Sequence, residues 1–419
     1  MVVAAPNWVA SPMEIGEKTG MQRVFHWGTG FAYFLITWIG SVTTFFTIQL
    51  LPIDTLSGFV NFIVFLTWNF LTLVNLYTAS YVGPGYVIRK WVPSKNSHKN
   101  ELQFCNICEG YKVPRSHHCS KCNRCCMKMD HHCPWINNCV GHRNHAYFCK
   151  FLFFAIVGCF HAAVIDAYSL YYALFRGHYE LYGDGSHPII YITVWSFLAL
   201  IIAFAFATAV VLGLSLLLFT QIRYVIKNMN GIEEYIHGKA LNLRKKTEKK
   251  SGNETTEAEE EEEAELLAML GEWNYPYDLG WKTNFRQVFP SWISGETVGN
   301  GTWWPVKDGC NQFTFTNEQL LQKQSKKERS RVLVIRDDFE GKYCSARKYG
   351  WKICFRQPLI DGKCLKVNQG DVFIATRGIQ GWAFGFVEDK PANKGWVPIL
   401  CTNLAHKKST KEEETKKTD

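Results

Sequence analysis

The chain has 419 residues, of which 47% are hydrophobic, and a formal net charge of +9. This length allows two or three domains. The basic residues lie beside long apolar stretches, so the charge favours anionic headgroups or a phosphorylated ligand as the partner and argues against nucleic acid.

Four long stretches carry almost no charge. Val24–Leu51, Thr55–Ile88 and Ile189–Ile222 contain no Asp, Glu, Lys or Arg, and Phe151–Phe175 contains only Asp166. Each exceeds the roughly 20 apolar residues that cross a hydrocarbon core, so the sequence predicts four membrane spans. A cleaved signal peptide is the alternative for the first stretch, but its apolar core would have only about 7–15 residues.

The segment between the second and third spans is basic. Its Lys and Arg residues are Arg89, Lys90, Lys95, Lys99, Lys112, Arg115, Lys121, Arg124, Lys128 and Arg143. The loops at 52–54 and 177–188 contain neither residue type. The positive-inside rule therefore predicts that both termini and the basic segment are cytosolic. In that reducing compartment, dense cysteines are typical of metal ligands or catalytic thiols rather than disulfides.

Two copies of one metal-binding pattern lie in this segment, offset by fourteen residues. The first set is Cys105, Cys108, His118 and Cys125, and the second is Cys119, Cys122, His132 and Cys139. Each set opens with two cysteines separated by two intervening residues and supplies the four ligands of a closed tetrahedral zinc site. Because neither set leaves an open position for water or substrate, we predict two structural zinc ions.

Asp130, His131 and Cys133 remain beside these ligands. A thiol becomes a nucleophile when its pKa is lowered or when a base accepts its proton. His131 is the predicted base and Asp130 the residue that orients it, in the order of a catalytic triad. His132 is disfavoured as the base because the repeat makes it a zinc ligand, and a metal-bound nitrogen cannot accept a proton. The alternative is that Cys133 is a spare cysteine in a purely structural module.

The first copy of the pattern lacks this chemistry. Ser116 occupies the position that corresponds to Asp130, and Cys119, which corresponds to Cys133, belongs to the second zinc set. Only the second copy is therefore predicted to be catalytic. Cys126 has no acid–histidine pair beside it, and we interpret it as a spare structural cysteine.

The region after the fourth span begins with charged runs. Arg244–Lys250 is basic, and Glu254–Glu265 is acidic without an apolar pattern, which is typical of a solvated tether, with an interaction tail as the alternative. From Arg331 onward, short β-branched runs between glycine-containing turns predict about five strands in a small barrel. Lys416 and Lys417 match the dilysine retrieval address of the endoplasmic reticulum, although a charged terminus could match by chance.

The run Asp130-His131-His132-Cys133-Pro134-Trp135, in a cysteine-rich segment between the second and third of four spans, resembles the DHHC family of protein S-acyltransferases (palmitoyltransferases). The resemblance covers roughly Val24–Phe289. The β-rich region and the dilysine ending are similar to the SH3-containing endoplasmic-reticulum member of that family.

The resemblance implies a two-step transfer. Cys133 would attack the thioester of a long-chain acyl-CoA such as palmitoyl-CoA, and a cytosolic cysteine of a membrane-associated protein would then accept the acyl chain. The helices would form a cavity for that chain. Arg115, Lys121 and Lys128 are candidates for contacts with the CoA phosphates, with a solvated basic face as the alternative.

Two segments depart from the family pattern. Gly83-Pro84-Gly85 stands where the family has Asp-Pro-Gly, and Asn230-Gly231-Ile232-Glu233 stands where it has Thr-Thr-x-Glu. Both are expected to lie outside the chemistry. The segment around Asn284 matches the aromatic C-terminal motif of the family, in which the asparagine would cap or tie helix ends.

The predicted barrel departs as well. Trp382 and Pro398 stand where an SH3 ligand groove has such residues, but 334–338 reads Val-Ile-Arg-Asp-Asp instead of Ala-Leu-Tyr-Asp-Tyr. A regulatory or scaffold role is as well supported as binding of proline-rich peptides. Its cysteines, Cys344, Cys354 and Cys364, are either acylated or buried as small hydrophobic residues.

Two polar residues interrupt the third span. A rise of 1.5 Å per residue places Asp166 roughly 25 Å from the cytosolic start, so we expect it at the far interface. His161 is the residue expected to be buried, either in an interhelical hydrogen bond or at the acyl cavity.

We therefore predict an α-helical polytopic membrane protein of the endoplasmic reticulum, with four transmembrane helices, a cytosolic two-zinc cysteine-rich domain and a C-terminal all-β SH3-like barrel. The predicted segments are 1–23 (cytosolic tail), 24–88 (first two spans), 89–148 (zinc domain), 149–222 (last two spans), 223–300 (juxtamembrane region with the acidic linker), 310–404 (SH3-like domain) and 405–419 (tail with the retrieval signal).

Two other functions compete with acyl transfer. A membrane-anchored zinc adaptor would use the metal sites and the barrel only to recruit partners, and it has no use for Asp130 and His131 beside an unliganded Cys133. A zinc ubiquitin ligase is excluded by the spacing of the ligands.

Overall fold

A computed structural model describes residues 20–250, 273–291, 297–328, 330–351, 353, 358, 363–391 and 393–404. The chain divides into two compact units, Met1–Glu318 and Gln319–Asp419. The acidic run, Cys354, Lys416 and Lys417 lie outside the described residues.

Four helices of the first unit are long and apolar enough to cross a membrane. They are α2 (Trp27–Leu50), α3 (Leu56–Val82), α4 (His145–Leu174) and α6 (Val194–Ile226). Helix α4 packs against the other three, and apolar residues are exposed around the whole bundle. A helix that is apolar on every side and also faces outward is suited to lipid. The chain is a membrane protein.

Shorter helices flank these four. They are α1 (Gly20–Val24), α5 (Arg176–Tyr182), α7 (Gly231–Lys250), α8 (Trp281–Val288) and α9 (Thr314–Glu328), which contains the boundary between the two units. Asn284 of α8 donates a 2.7 Å hydrogen bond to the carbonyl of Ile226, the last residue of α6. The prediction that this asparagine ties helix ends is confirmed.

The cysteine-rich segment between α3 and α4 forms three short antiparallel hairpins. Their strands are β1 (Phe104–Cys105), β2 (Gly110–Tyr111), β3 (His117–Cys119), β4 (Arg124–Cys126), β5 (His131–Cys133) and β6 (Asn138–Val140). Strand β1 pairs with β2, β3 with β4, and β5 with β6. A single pair of strands this short is at best marginally stable on its own.

The burial of one of the two polar residues in the third span, Asp166, differs from the expectation. His161 makes a 2.8 Å hydrogen bond with Asn61 of α3, so the predicted interhelical bond is confirmed. Asp166 is fully buried, and Thr43 of α2 donates a 3.2 Å hydrogen bond to its carboxyl group. The expectation that His161 alone of the two is buried is therefore wrong, because α2 packs over the face of α4 that carries Asp166 and supplies a polar partner.

The second unit contains a curled antiparallel sheet consistent with an SH3-like fold. Its strands are β7 (Arg331–Ile335), β10 (Val372–Ile379), β11 (Trp382–Val387), β12 (Lys394–Pro398) and β13 (Thr402–Leu404), in the order β12-β11-β10-β7-β13. Strands β8 (Phe339–Glu340) and β9 (Lys366–Val367) form a separate pair. The core is built around Phe373, Trp382 and Trp396, which are fully buried.

The burial of Trp382 corrects its predicted place in a ligand groove. Its indole Nε1–H donates a 3.1 Å hydrogen bond to the carbonyl of Ile353, and Ile353 and Ala346 belong to the same core. A stretch of the chain itself therefore covers the ring that a proline-rich ligand would need. Cys364 is half-buried against this core.

Candidate active site and metal centres

The three hairpins repeat one turn at intervals of fourteen residues. The first cysteine of each turn lies opposite the residue five positions later: Cys105 opposite Gly110, Cys119 opposite Arg124, and Cys133 opposite Asn138. The residue that follows each turn has a positive φ: 51° at Glu109, 53° at Asn123 and 46° at Asn137. The sequence pattern revealed two copies. The third turn has Ile136 in place of its second cysteine and so lacks the two-cysteine pattern; its remaining sequence signal is Asn137, which matches Asn123 of the second turn and tolerates a positive φ.

Each metal set combines the turn of one hairpin with the histidine and cysteine of the next. His118 lies opposite Cys125, and His132 lies opposite Cys139. The four potential ligand atoms of each set lie within 4.8 Å of one another. Both predicted ligand sets are therefore brought together, and each could hold a metal ion.

The distances between these donors fit a tetrahedral zinc ion. Nδ1 of His118 lies 3.6 and 3.4 Å from the sulfurs of Cys105 and Cys108. Nδ1 of His132 lies 3.7 and 3.4 Å from those of Cys119 and Cys122. With Zn–S bonds of about 2.3 Å and Zn–N bonds of about 2.0–2.1 Å, the S···N edge of a tetrahedron is about 3.6 Å. Three sulfurs and one imidazole also match the soft donor set of a structural zinc site.

The same geometry explains why Cys133 stays outside both sets. In the third turn the second cysteine is replaced by Ile136, which is fully buried. The histidine and cysteine of a following hairpin would fall at positions 146 and 153, which are Ala146 and Phe153. Both belong to α4, so the hairpin repeat ends before a third site is complete. Cys126 is buried beside the second set but is not one of its four ligands.

Asp130, His131 and Cys133 lie together. The Nδ1–H of His131 donates a 2.7 Å hydrogen bond to Oδ2 of Asp130, which leaves Nε2 as the ring nitrogen available to the thiol of Cys133, and Cys133 in turn favours the charged ring. Asp130 and Cys133 are buried, while the imidazole is partly exposed. The arrangement can hold a proton on His131 while Cys133 reacts.

The electrostatics favour the charged forms of Asp130 and His131. Burial alone would raise the pKa of Asp130, but the hydrogen bond from His131 and the charge of that ring lower it to about 2. Burial alone would lower the pKa of His131, but its hydrogen bonds with Asp130 and Cys133 raise it to about 9. At neutral pH the pair is therefore a carboxylate and an imidazolium.

Two further donors hold the carboxylate of Asp130, and neither was expected from the sequence. Gln221, near the end of α6, donates its amide to Oδ2 at 3.0 Å, and the backbone N–H of Gly231 reaches Oδ1 at 2.8 Å. His145 in turn hydrogen-bonds Gln221 at 2.8 Å. The expectation that the Asn230–Glu233 segment lies outside the chemistry is therefore wrong, because its glycine contacts the carboxylate of Asp130, the residue predicted to orient the base.

Two of the three basic residues assigned to CoA are not accessible. The guanidinium of Arg115 is fully buried and binds both carboxylate oxygens of Glu233 at 2.7 Å. Lys128 is also buried and donates to Asn228 at 2.8 Å. Burial and then the nearby Arg115 lower its pKa to about 7. The expectation that Arg115 and Lys128 meet CoA phosphates is wrong, because their donors are used inside the protein; Lys121 is exposed.

An apolar cavity of about 340 Å³ opens beside Cys133. Cys133 and Trp135 line one part of it, and α2, α3, α4 and α6 supply most of the remaining wall. On α4 the lining runs from Phe148 to Cys159, which at 1.5 Å per residue is about 16 Å of helix. The volume lies within the usual range for a ligand pocket, about 300–1,000 Å³. Such a cavity suits a long alkyl chain whose reactive end is at Cys133.

Comparison with known proteins agrees with this site. A sequence model described as DHHC palmitoyltransferase matches residues 98–238. Palmitoyltransferase ZDHHC6 of Danio rerio is 37% identical over 404 residues, which are 91% of this chain and 92% of the relative. The proteins of that name from Mus musculus and Homo sapiens are 35% and 34% identical, with 91% of this chain and 91% of each relative covered. The chain belongs to the DHHC palmitoyltransferase family.

Proposed function

We propose that this chain transfers a long-chain acyl group from acyl-CoA to cysteine thiols of membrane-associated proteins, through an acyl-enzyme on Cys133. One observation carries the proposal: the sulfur left outside both metal sets adjoins a carboxylate–imidazole pair and also lines the apolar cavity. A zinc adaptor would need neither feature.

In the first step the sulfur of Cys133 attacks the carbonyl carbon of the thioester. His131 holds the proton of Cys133 at Nε2 during the attack, and Asp130 stabilises the imidazolium through Nδ1. The bond between that carbon and the CoA sulfur breaks, and CoA leaves as a thiolate that takes up the proton held on His131. In the second step the thiol of the substrate cysteine gives its proton to Nε2 of His131 and its sulfur attacks the carbonyl carbon of the new thioester, so the bond from that carbon to the sulfur of Cys133 breaks and Cys133 leaves as a thiolate beside the imidazolium.

Two zinc ions are proposed for the two ligand sets, where they would hold the hairpins in place. Because protein supplies all four ligands of each set, zinc would take no part in bond making. Lys121 is the exposed member of the three basic candidates and is retained as a proposed contact for CoA phosphates.

The setting of the reaction is also a proposal. The basic segment supports a cytosolic position for the hairpins and for both termini. Lys416 and Lys417 support retrieval to the endoplasmic reticulum. A regulatory partner is proposed for the SH3-like unit, and it would contact a surface other than Trp382, since that ring is buried.

The test is incorporation of an alkyne-labelled fatty acid, supplied as its CoA thioester, into purified protein. Cys133→Ser is expected to abolish hydroxylamine-sensitive labelling and to retain the metal content of the wild type. Cys310→Ser is the matched control, since Cys310 is a partly exposed cysteine outside the site. Labelling of Cys133→Ser at the wild-type level would refute the proposed acyl-enzyme on Cys133 and favour the membrane-anchored zinc adaptor.

A further inference from the structure

The third turn, from Cys133 to Asn138, is built differently from the two turns before it. Each earlier turn supplies two cysteines to a ligand set, so the metal proposed for that set would hold the turn in shape. In the third turn Ile136 replaces the second cysteine. We propose that the amino end of α2 takes the place of a metal and positions the third turn, and that Gly28 is the residue that permits this contact. The inference rests on the proposed function, and the residues that it names on α1 and α2 position Cys133 without touching the reacting atoms.

Gly28 packs directly on the backbone of the third turn. It is the second residue of α2 and is buried. A Cβ added at this position would overlap the carbonyl oxygen of Pro134 and would lie 3.2 Å from its carbonyl carbon. Glycine is the residue that allows one stretch of backbone to approach another this closely. Any side chain at position 28 would therefore push Pro134 away from α2.

The carbonyl group of Pro134 closes the third turn. It accepts a 3.2 Å hydrogen bond from the backbone N–H of Asn137, the residue of this turn with a φ of 46°. Displacement of the carbonyl group would strain this bond and would move Cys133, to which Pro134 is joined. A misplacement of about 1 Å can slow a reaction about a hundredfold.

A hydrogen bond joins the same turn to the residues that precede α2. Nδ2 of Asn137 donates a 3.2 Å bond to the carbonyl oxygen of Arg23 in α1. The guanidinium of Arg23 lies 5.2 Å from the ring centre of Tyr86, and the hydroxyl of Tyr86 donates a 2.9 Å bond to Oδ1 of Asn138. The third turn is thus held at Asn137 by α1 and at Pro134 by α2.

The amino end of α2 also contacts the wall of the apolar cavity. The ring centre of Trp135 lies 6.3 Å from that of Trp27 and 6.0 Å from that of Phe31, distances at which aromatic rings attract one another. Trp135 lines the cavity together with Cys133. One end of one helix therefore contacts both the turn that carries the nucleophile and an aromatic residue beside it.

Two glycines of α2 provide a matched pair of variants. Gly28→Ala would place its Cβ against Pro134, whereas no atom of the described residues comes within 4 Å of a Cβ added at Gly30. Gly30 is exposed. Alanine is the better helix former at both positions, so its effect on the helix itself is the same in the two variants.

The experiment uses the full chain in nanodiscs. The readouts are the rate of acyl incorporation at Cys133 from palmitoyl-CoA, the rate of its alkylation by iodoacetamide (followed by peptide mass spectrometry), the metal content and the Tm. Both rates are expected to fall about tenfold to a hundredfold in Gly28→Ala, because Cys133 moves away from the base that accepts its proton. Gly30→Ala is expected to keep the rates of the wild type, and both variants are expected to keep its metal content.

Asn137→Gly tests the second contact, and Asn123→Gly is its matched control. Glycine adopts the positive φ of either position, so the turn keeps its backbone and loses only a side chain. Loss of the hydrogen bond from Asn137 to Arg23 is expected to slow both reactions of Cys133 about fivefold. Asn123 has a φ of 53° in the second turn, which the proposed metal would hold, so Asn123→Gly is expected to keep the rates and the metal content of the wild type.

The alkylation rate distinguishes positioning from a loss of the fold. Cys133 is buried, so unfolding would expose it and speed its alkylation; in that case the two asparagine variants would decide. Wild-type rates in a folded Gly28→Ala, rates that fall equally in Gly28→Ala and Gly30→Ala, or equal rates in Asn137→Gly and Asn123→Gly would overturn the inference. Failure of the wild type to acylate Cys133 would instead refute the proposed function, and the alkylation rates would still test the contact.

Discussion

Cys133 lies opposite Asn138 across the third hairpin, in the same register that places the zinc-ligand candidate Cys119 opposite Arg124 in the second. The proposed nucleophile therefore occupies the first-ligand position of a metal-binding turn. It is left without metal because Ile136 and the start of α4 remove the remaining donors. The turn that supplies a metal ligand in the second hairpin thus places the sulfur of Cys133, in the third, beside His131, Asp130 and the apolar cavity.

Cys119→Ser is expected to behave differently from Cys133→Ser, although the two residues are equivalent in the repeat. Cys119 belongs to the second ligand set, so its loss should reduce the metal content from two ions to about one and destabilise the hairpins, since structural zinc contributes folding energy. Atomic absorption on purified protein and the Tm measure both effects. Equal metal content in the two variants would contradict the assignment of ligands.

The stabilising effect of the Asp130–His131 pair should depend on pH. The pKa of His131 is raised from 6.5 to about 9 in the folded protein. Its contribution to stability is therefore fully present below pH 6.5 and is lost as the pH rises through about 9. The pKa of Asp130 is lowered from 3.8 to about 2, so its contribution is present above pH 3.8 and is lost as the pH falls through about 2.

The measurement is the Tm of wild type and His131→Ala across this range. The wild type should exceed the variant most between pH 3.8 and 6.5, and the difference should shrink as the pH approaches 9. A difference that grows with pH over that interval would show that the imidazole is neutral in the folded protein.

Residues close in sequence could be assigned from the sequence, and contacts between distant segments could not. The metal sets, the triad and the four spans depend on local spacing or on continuous apolar runs. The pairs Arg115–Glu233 and Gly231–Asp130 are separated by 118 and 101 residues. Nothing in a local pattern distinguishes a buried Arg115 from an exposed Lys121. The burial of Asp166 and Trp382 likewise depends on neighbours, Thr43 and Ile353, that only the fold brings together.

Filling the cavity should alter which acyl chains react. Ala155 lines the cavity and is buried in α4, so Ala155→Trp would occupy space needed by the far end of a long chain. Each methylene group that is denied burial costs about 0.8 kcal/mol, so reaction with palmitoyl-CoA should fall more than tenfold while short acyl chains still react. Intact-protein mass spectrometry with acyl-CoAs of graded length measures this. Val164→Trp, at an exposed position of the same helix, is the control, and a loss equal in both variants would exclude this use of the cavity.

Trp382→Ala should unfold the SH3-like unit without changing the transfer reaction. Removing a fully buried tryptophan costs about 3–5 kcal/mol, and this residue also donates a hydrogen bond to Ile353. Limited proteolysis should cleave the second unit of the variant, while acylation of Cys133 continues at the wild-type rate. The contrary result would be that the wild type binds a proline-rich peptide and the variant does not, although the second unit of the variant stays folded. That result would show that the ring of Trp382 is accessible in solution.

The pair Arg115–Glu233 should show the difference between breaking and replacing a buried ion pair. Arg115→Met leaves the carboxylate of Glu233 buried without its cation, which costs about 3–5 kcal/mol. The double variant Arg115→Met, Glu233→Met removes both charges, so it should recover much of that loss, since apolar side chains of similar volume can replace a buried pair. The exposed pair Arg176–Glu180 provides the control, because Arg176→Met should cost no more than about 1 kcal/mol.

Thermal unfolding in one detergent compares the variants. If the double variant were as unstable as Arg115→Met, the cost would come from packing against Tyr277 and Trp304 rather than from the unpaired charge. If it regained stability while acylation at Cys133 remained slow, the charges at the start of α7 would be needed for positioning Asp130 and not for the fold.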